Sequence, residues 1–299
     1  MIMEGIMLKE DYKVSVLTPV HNTPIGLLEK AFCSLKKQSF GFSGIQWVVA
    51  LHNCTSEYFE KVRVLLGDAP NILLFEARKE GSTVSFARNA TLNQAGGEYL
   101  FFLDSDDEMA PDCVERVVSE MERGKADAAI FTAVVEGRGA HMDLTFVDSD
   151  PSKGTVFAET GDIRISRGMN NSGLPLWCRC YRRDLIMEEG IRFDEALSFG
   201  EDVSFNISAT ARAHRVCLLP HFCGYHYYAG QGMVIQGKLP NRISFEWSSR
   251  PAVVGRRIEK TTSERSSSLS GKVPRGGSVA AWPNQLSGIV SALRIEDSH

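Results

Sequence analysis

No stretch of the chain approaches the ~18 consecutive apolar residues that a membrane-crossing helix needs, so no spanning segment is expected. The first residues include Glu4 and lack a sustained apolar core, so they do not read as a signal peptide. A strong charge of either sign is missing too. The formal balance of -4 argues against a general nucleic-acid binder. No disulfide framework is legible. The 7 cysteines, at positions 33, 54, 113, 178, 180, 217 and 223, are scattered and odd in number, as suits a reducing cytosol. Cys178-x-Cys180 has no partner pair, which argues against zinc. No Gly-x-Gly-x-x-Gly follows the first predicted strand, and no Gly-Lys-Ser/Thr P-loop occurs anywhere. Any phosphate held here must be held by other groups.

Two short segments carry the chemistry that is present. Gly97-Glu98 leads into the apolar run Tyr99 to Leu103, too short for a helix and bounded by turn and acid, which reads as a buried strand. Asp104-Ser105-Asp106-Asp107-Glu108 follows, where an open α/β sheet places its ligands. Crowded carboxylates repel one another. A hard divalent cation, Mg²⁺ or Mn²⁺, resolves the repulsion and commonly brings substrate phosphates with it. A solvated acidic turn is the other reading of the tetrad. The second segment, Glu201-Asp202, opens a predicted helix. Two acids there suit the helix dipole or serve catalysis, and the sequence alone leaves both open.

At 299 residues, 43% hydrophobic and 23% charged, the chain has an ordinary soluble composition and can bury one large core with a smaller subdomain. Strands are predicted at 14–18, 45–51, 72–75, 99–103 and 128–135. Helices alternate with them: one follows Thr23 (a cap) and Pro24, one carries Tyr58 to Leu66, one spans 85–94 behind Ser82 or Thr83, and one follows Pro111. This alternation is the pattern of an α/β, Rossmann-like, doubly wound, mostly parallel sheet. Farther on come a weak helix at 158–167, a strand at 176–181, a short helix from Arg182, a helix from Glu201 and two short strands at 216–219 and 224–228. Positions 241–276 hold eight Lys/Arg against three Glu and many serines. This basic tail is read either as a solubilising segment or as a contact for an anionic membrane surface.

Val14 to Asn22, then Ala87-Arg88-Asn89, Gly97-Glu98-Tyr99 running into Asp104-Ser105-Asp106-Asp107, and finally Trp177 to Leu185 with Phe193 and Glu201-Asp202, together resemble the bacterial family 2 glycosyltransferases from residue 13 to about 230. The resemblance implies a GT-A fold over residues 1–240, with a nucleotide-binding half (13–135) and an acceptor half (136–240) as the smaller subdomain, and leaves 241–299 as the tail. It implies an inverting transfer of a sugar from a nucleotide-sugar donor, with Mg²⁺ or Mn²⁺, to a hydroxyl of a surface polysaccharide or lipid-linked glycan. The place of work is then the cytoplasm, with peripheral contact at the inner face of the membrane as an option. Carried over residue by residue, Thr18, Pro19, Val20, His52 and Asn53 hold the base; Arg88 faces the nucleotide; Asp104 and Ser105 approach the ribose; Asp106 ligates the metal; Asp202 is the general base with Glu201 beside it.

One departure stands out. The family's second strand usually ends in an Asp that pairs with uracil, whereas this chain has His52, with Asn53 beside it able to donate and accept. A UDP-sugar is the first expectation, with GDP- and TDP-sugars open. His226 is read either as a metal ligand or as a packed histidine, and Trp177 as an acceptor platform or a core residue. Two other functions fit parts of the pattern. A non-catalytic nucleotide-sugar-binding subunit fits the altered base loop but not the intact Asp104, Asp106 and Asp202. An aspartyl phosphatase calls for a Thr soon after its second Asp, and Asp107-Glu108 stands there instead.

Overall fold

The computed structural model describes residues 12–136, 140–142, 154–159 and 175–228. The tail expected at 241–299 lies outside these residues. In chain order the elements are β1 (Val14–Val20), α1 (Ile25–Lys36), β2 (Ile45–His52), α2 (Ser56–Leu66), β3 (Ile72–Ala77), α3 (Val84–Gln94) and β4 (Tyr99–Phe102). They are followed by β5 (Glu108–Met109), α4 (Cys113–Gly124), β6 (Ala128–Glu136), β7 (Ala140–Met142), β8 (Val156–Glu159), β9 (Arg179–Arg182), α5 (Arg183–Glu188), α6 (Glu201–Arg212) and β10 (Arg215–Tyr228).

The first four strands form a parallel half-sheet in the order β3-β2-β1-β4. Central β1 is apolar on both faces because helices cover both, and Val14, Val16, Leu17 and Val20 are fully buried. The sheet continues through β9, antiparallel to both β4 and β6, then through β10 beside β6 and finally β5. Parallel strands thus make the first half and mixed pairing the second. Helix α4 buries Val114, Val117, Val118 and Met121, a stripe at helical spacing. Gly97 lets β4 start hard against β1, since a Cβ there would stand 2.4 Å from the Ser15 nitrogen.

Several local expectations are corrected by longer-range contacts. Helix α1 starts after Pro24, and the Thr23 hydroxyl meets Ser105 instead of capping it. Thr83 stands at the start of α3 without a side-chain cap bond, while Ser82 donates to the Lys79 carbonyl. Residues 158 and 159, placed in a weak helix, lie in β8 because Val156–Glu159 pairs with Leu218 to Arg215; the rest of 158–167 lies outside the described residues. The two short strands at 216–219 and 224–228 are one strand. Register shifts between Leu218 and Tyr225 absorb Pro220 as an irregularity in β10. Leu176–Cys178 is a 3-10 turn, with the strand beginning only at Arg179.

Arg179 itself is 1% exposed, and among the described residues none of its three guanidinium nitrogens has a hydrogen-bond partner. Burial pulls its pKa down, the direction expected when a cation is desolvated without a carboxylate beside it. Arg179→Met is therefore expected to raise stability, by about 1–4 kcal/mol if it behaves like other apolar replacements of buried charge. Urea unfolding of the two proteins measures it; a destabilised R179M would show that the guanidinium holds the sheet together.

Candidate active site

The carboxylate loop begins where β4 leaves the sheet. Leu103 still bonds to β1 through the Leu17 carbonyl (3.1 Å), and the Asp107 amide turns back to the Asp104 carbonyl (3.2 Å). The acids then divide. Asp104 and Asp106 are half-exposed, whereas Asp107 is 1% exposed. Burial, reinforced by the Asp104 charge, pushes Asp106 up to about 6. Asp107 is pushed to about 8 by burial and by Asp104, against the pull of hydrogen bonds from the Tyr228 amide and the Tyr225 hydroxyl. Ser105, expected at the ribose, is buried and bonded to Thr23.

Across from this loop stands the first turn of α6. Gly200 enters it with φ +77°, a left-handed conformation that glycine adopts without penalty. Arg88, from α3, ties the two together. Its Nη1 donates to Glu201 at 2.7 Å, its Nη2 reaches Asp104 at 3.5 Å, and its guanidinium lies 5.5 Å from the Phe193 ring. Burial works against the Arg88 charge, but Asp104, Glu201 and Asp202 outweigh it and hold the pKa up. Asp202 is pushed to about 6, chiefly by burial and then by Glu201, with Arg88 pulling the other way. So Arg88, Asp104, Glu201 and Asp202, expected from three separate stretches, form one electrostatic group. Arg88 meets carboxylates here, the partners that make its buried charge tenable.

The strand ends beside this group are built differently from expectation. Thr18 is fully buried and accepts from Trp47 Nε1 at 2.9 Å, and Val20 is likewise buried, while Pro19 is partly exposed. Asn53 turns the chain with φ +51°. Its amide spends both functions on the Lys79 backbone, donating to the carbonyl and accepting from the amide, each at 3.0 Å. His52 is buried, with Nε2 2.8 Å from Ser82 Oγ, and its pKa is lowered by burial and by neighbouring His21. A recess of about 420 Å³ opens here, lined by Asn53, Arg78, Lys79, Glu80 and Gly81.

Trp177 is 9% exposed and stacks nearly parallel on Tyr225 (4.7 Å) and Tyr227 (5.2 Å), so the structure gives it the place of a core residue. His226 pairs with Glu108 across β10 and β5, and strand alternation turns its side chain away from the Tyr225 face. Among the described residues no three His, Cys, Asp or Glu side chains converge as a metal cage. Sequence reasoning missed Tyr225. Its hydroxyl accepts from the Asp104 amide (3.1 Å) and donates to Asp107 (2.9 Å), a link between residues about 120 apart that no local pattern marks.

Residues 15–146 match the family model described as glycosyl transferase family 2. Residues 15–146 are a glycosyl transferase family 2 domain. The chain is 26% identical over 195 residues to the minor teichoic acid biosynthesis protein GgaB of Bacillus subtilis, covering 64% of the chain and 20% of GgaB. It is 24% identical over 218 residues to the poly(ribitol-phosphate) beta-N-acetylglucosaminyltransferase TarS of Staphylococcus aureus, covering 73% of the chain and 35% of TarS. It thus spans about a fifth to a third of these relatives. The crystal structure of S. aureus TarS 1–349 in complex with UDP-GlcNAc superposes with a TM-score of 0.61 at 23% identity, covering 74% of the chain and 59% of that structure. The likeness shows the fold, which is GT-A as the sequence led us to expect. No helix among the described residues is long and apolar enough to cross a membrane.

Proposed function

We propose that this family 2 domain transfers a sugar, with inversion, from a UDP-sugar to a hydroxyl of a bacterial surface polysaccharide or lipid-linked glycan. The observation that carries the reading is the Arg88 bridge from Glu201 to Asp104, which brings the helix turn that carries the half-buried Asp202 up to the carboxylate loop. TarS, a poly(ribitol-phosphate) beta-N-acetylglucosaminyltransferase whose structure is known in complex with UDP-GlcNAc, supports the donor class and a phosphate-rich glycan as acceptor.

The donor's diphosphate is taken to lie over Asp104 and Asp106. Their hard oxygens, and the burial and neighbouring Asp104 charge that together lift Asp106, fit Mg²⁺ or Mn²⁺, which Asp104 and Asp106 would hold together with substrate oxygens and water. Such an ion, when bound, neutralises the charge of the leaving diphosphate. The uracil sits in the recess beside Asn53, which shapes the pocket through Lys79 while its own amide is occupied. Asp202 takes the proton from the acceptor hydroxyl as that oxygen attacks the anomeric carbon and the bond to the diphosphate breaks. One displacement with one base inverts the centre. Glu201 holds Arg88, and Arg88 keeps Asp202 ionisable. The work is placed in the cytoplasm, at the inner face of the membrane where the acceptor is lipid-linked.

Asp106→Ala tests the carboxylate half. UDP release from the donor is expected to fall by roughly 10² or more, and the variant's UDP affinity in Mn²⁺ should match that of the unaltered protein in EDTA. Full turnover in EDTA would reject a metal role for the loop.

A further inference from the structure

We propose that Tyr225 is a positioning residue for the carboxylate loop, its single hydroxyl setting where Asp104 and Asp106 stand. The inference rests on the reading of the loop as the donor's diphosphate site. The phenol is fully buried and stacked on Trp177, so its oxygen has little freedom. That oxygen accepts from the Asp104 amide at 3.1 Å and donates to Asp107 Oδ2 at 2.9 Å. Asp107 Oδ1 accepts from the Tyr228 amide at 2.8 Å. The Ala110 amide bonds to the Gly224 carbonyl at 3.0 Å, and Tyr228 Oη donates to Glu108 at 2.8 Å.

The loop from 104 to 110 is therefore pinned at both ends by one five-residue stretch of β10. Both oxygens of Asp107 are used inside this clamp. Of the aspartates in the cluster, two are left to face a donor and the third holds the loop's shape. The consequence is specific. Loosening the Tyr225 bond leaves the base recess untouched but lets the Asp104 backbone move relative to Asp106, which costs the cation-dependent part of nucleotide affinity.

Calorimetric titration of UDP, in Mn²⁺ and in EDTA, tests this with Tyr225→Phe, Asp107→Asn and the double variant. For Y225F, affinity in Mn²⁺ should drop about tenfold, as for the loss of a buried hydrogen bond, while affinity in EDTA stays that of the unaltered protein. The double variant should be no weaker than Tyr225→Phe alone, because that change already removes the Tyr225–Asp107 bond together with the one from the Asp104 amide. A Y225F protein that gains as much affinity from Mn²⁺ as the unaltered chain overturns the proposal, and so does an equal loss in Mn²⁺ and EDTA, which marks general damage. An unaltered chain whose UDP affinity ignores Mn²⁺ overturns the metal reading and this proposal together, whereas the first two outcomes leave that reading standing.

Discussion

Asp202→Asn lowers turnover by roughly 10²–10⁴, the contribution of a positioned general base, while UDP still binds with unchanged affinity. The substitution keeps shape and removes the proton acceptor, so a change in binding is not expected. Calorimetry beside a UDP-release assay separates the two quantities. Loss of binding would make Asp202 a structural residue. The pH profile gives an independent check. Burial and Glu201 raise the Asp202 pKa from 3.8 to about 6, so the base is mostly protonated below that value and kcat/KM rises as pH passes through it. Linkage runs the other way for stability. A carboxyl with a raised folded pKa binds its proton more tightly when folded, so its contribution falls as pH climbs from about 4 to 6. Activity and stability therefore move in opposite directions across one pH window, and Asp202→Asn removes the Asp202 share of both while leaving that of Asp106, which is pushed up over the same range.

Arg88→Ala is the largest expected loss of stability, about 3–5 kcal/mol by urea unfolding, because it strands buried carboxylates without their cation. Glu201, 9% exposed, loses a 2.7 Å partner, and Asp104 loses its own at 3.5 Å. Arg88→Lys restores little, since one ammonium does not span two carboxylates as a guanidinium fork does. A second readout comes with it. Arg88 holds the Asp202 pKa down by its charge, so Arg88→Ala, where it still turns over, shows its acid limb displaced to higher pH. A variant with unchanged unfolding and an unchanged limb would show that the bridge does not set the base.

Most of the sheet was legible from runs of apolar residues. Trp47 to Leu51 and Tyr99 to Leu103 are buried on both faces, so unbroken hydrophobicity marks them, and helical spacing marks Val114, Val117, Val118 and Met121. The site's acids were legible as types in the right order. Their division of labour was not. Asp106 and Asp107 are adjacent in sequence, and only the Tyr225 and Tyr228 bonds from β10 make one buried and the other half-exposed. Arg88 and Glu201 are 113 residues apart, and nothing local announces their pairing. Asn53 read as a base-binding amide because its chemistry allows it, yet its backbone turn spends that amide on Lys79.

Purified protein incubated with a panel of UDP-, GDP- and TDP-sugars, with Mn²⁺ and with EDTA, measures the central claim directly. UDP should be released from at least one UDP-sugar in Mn²⁺, should fall to background in EDTA, and should fall likewise for Asp202→Asn. Tight nucleotide-sugar binding with no release from any donor would contradict transfer and leave a binding protein on the same fold.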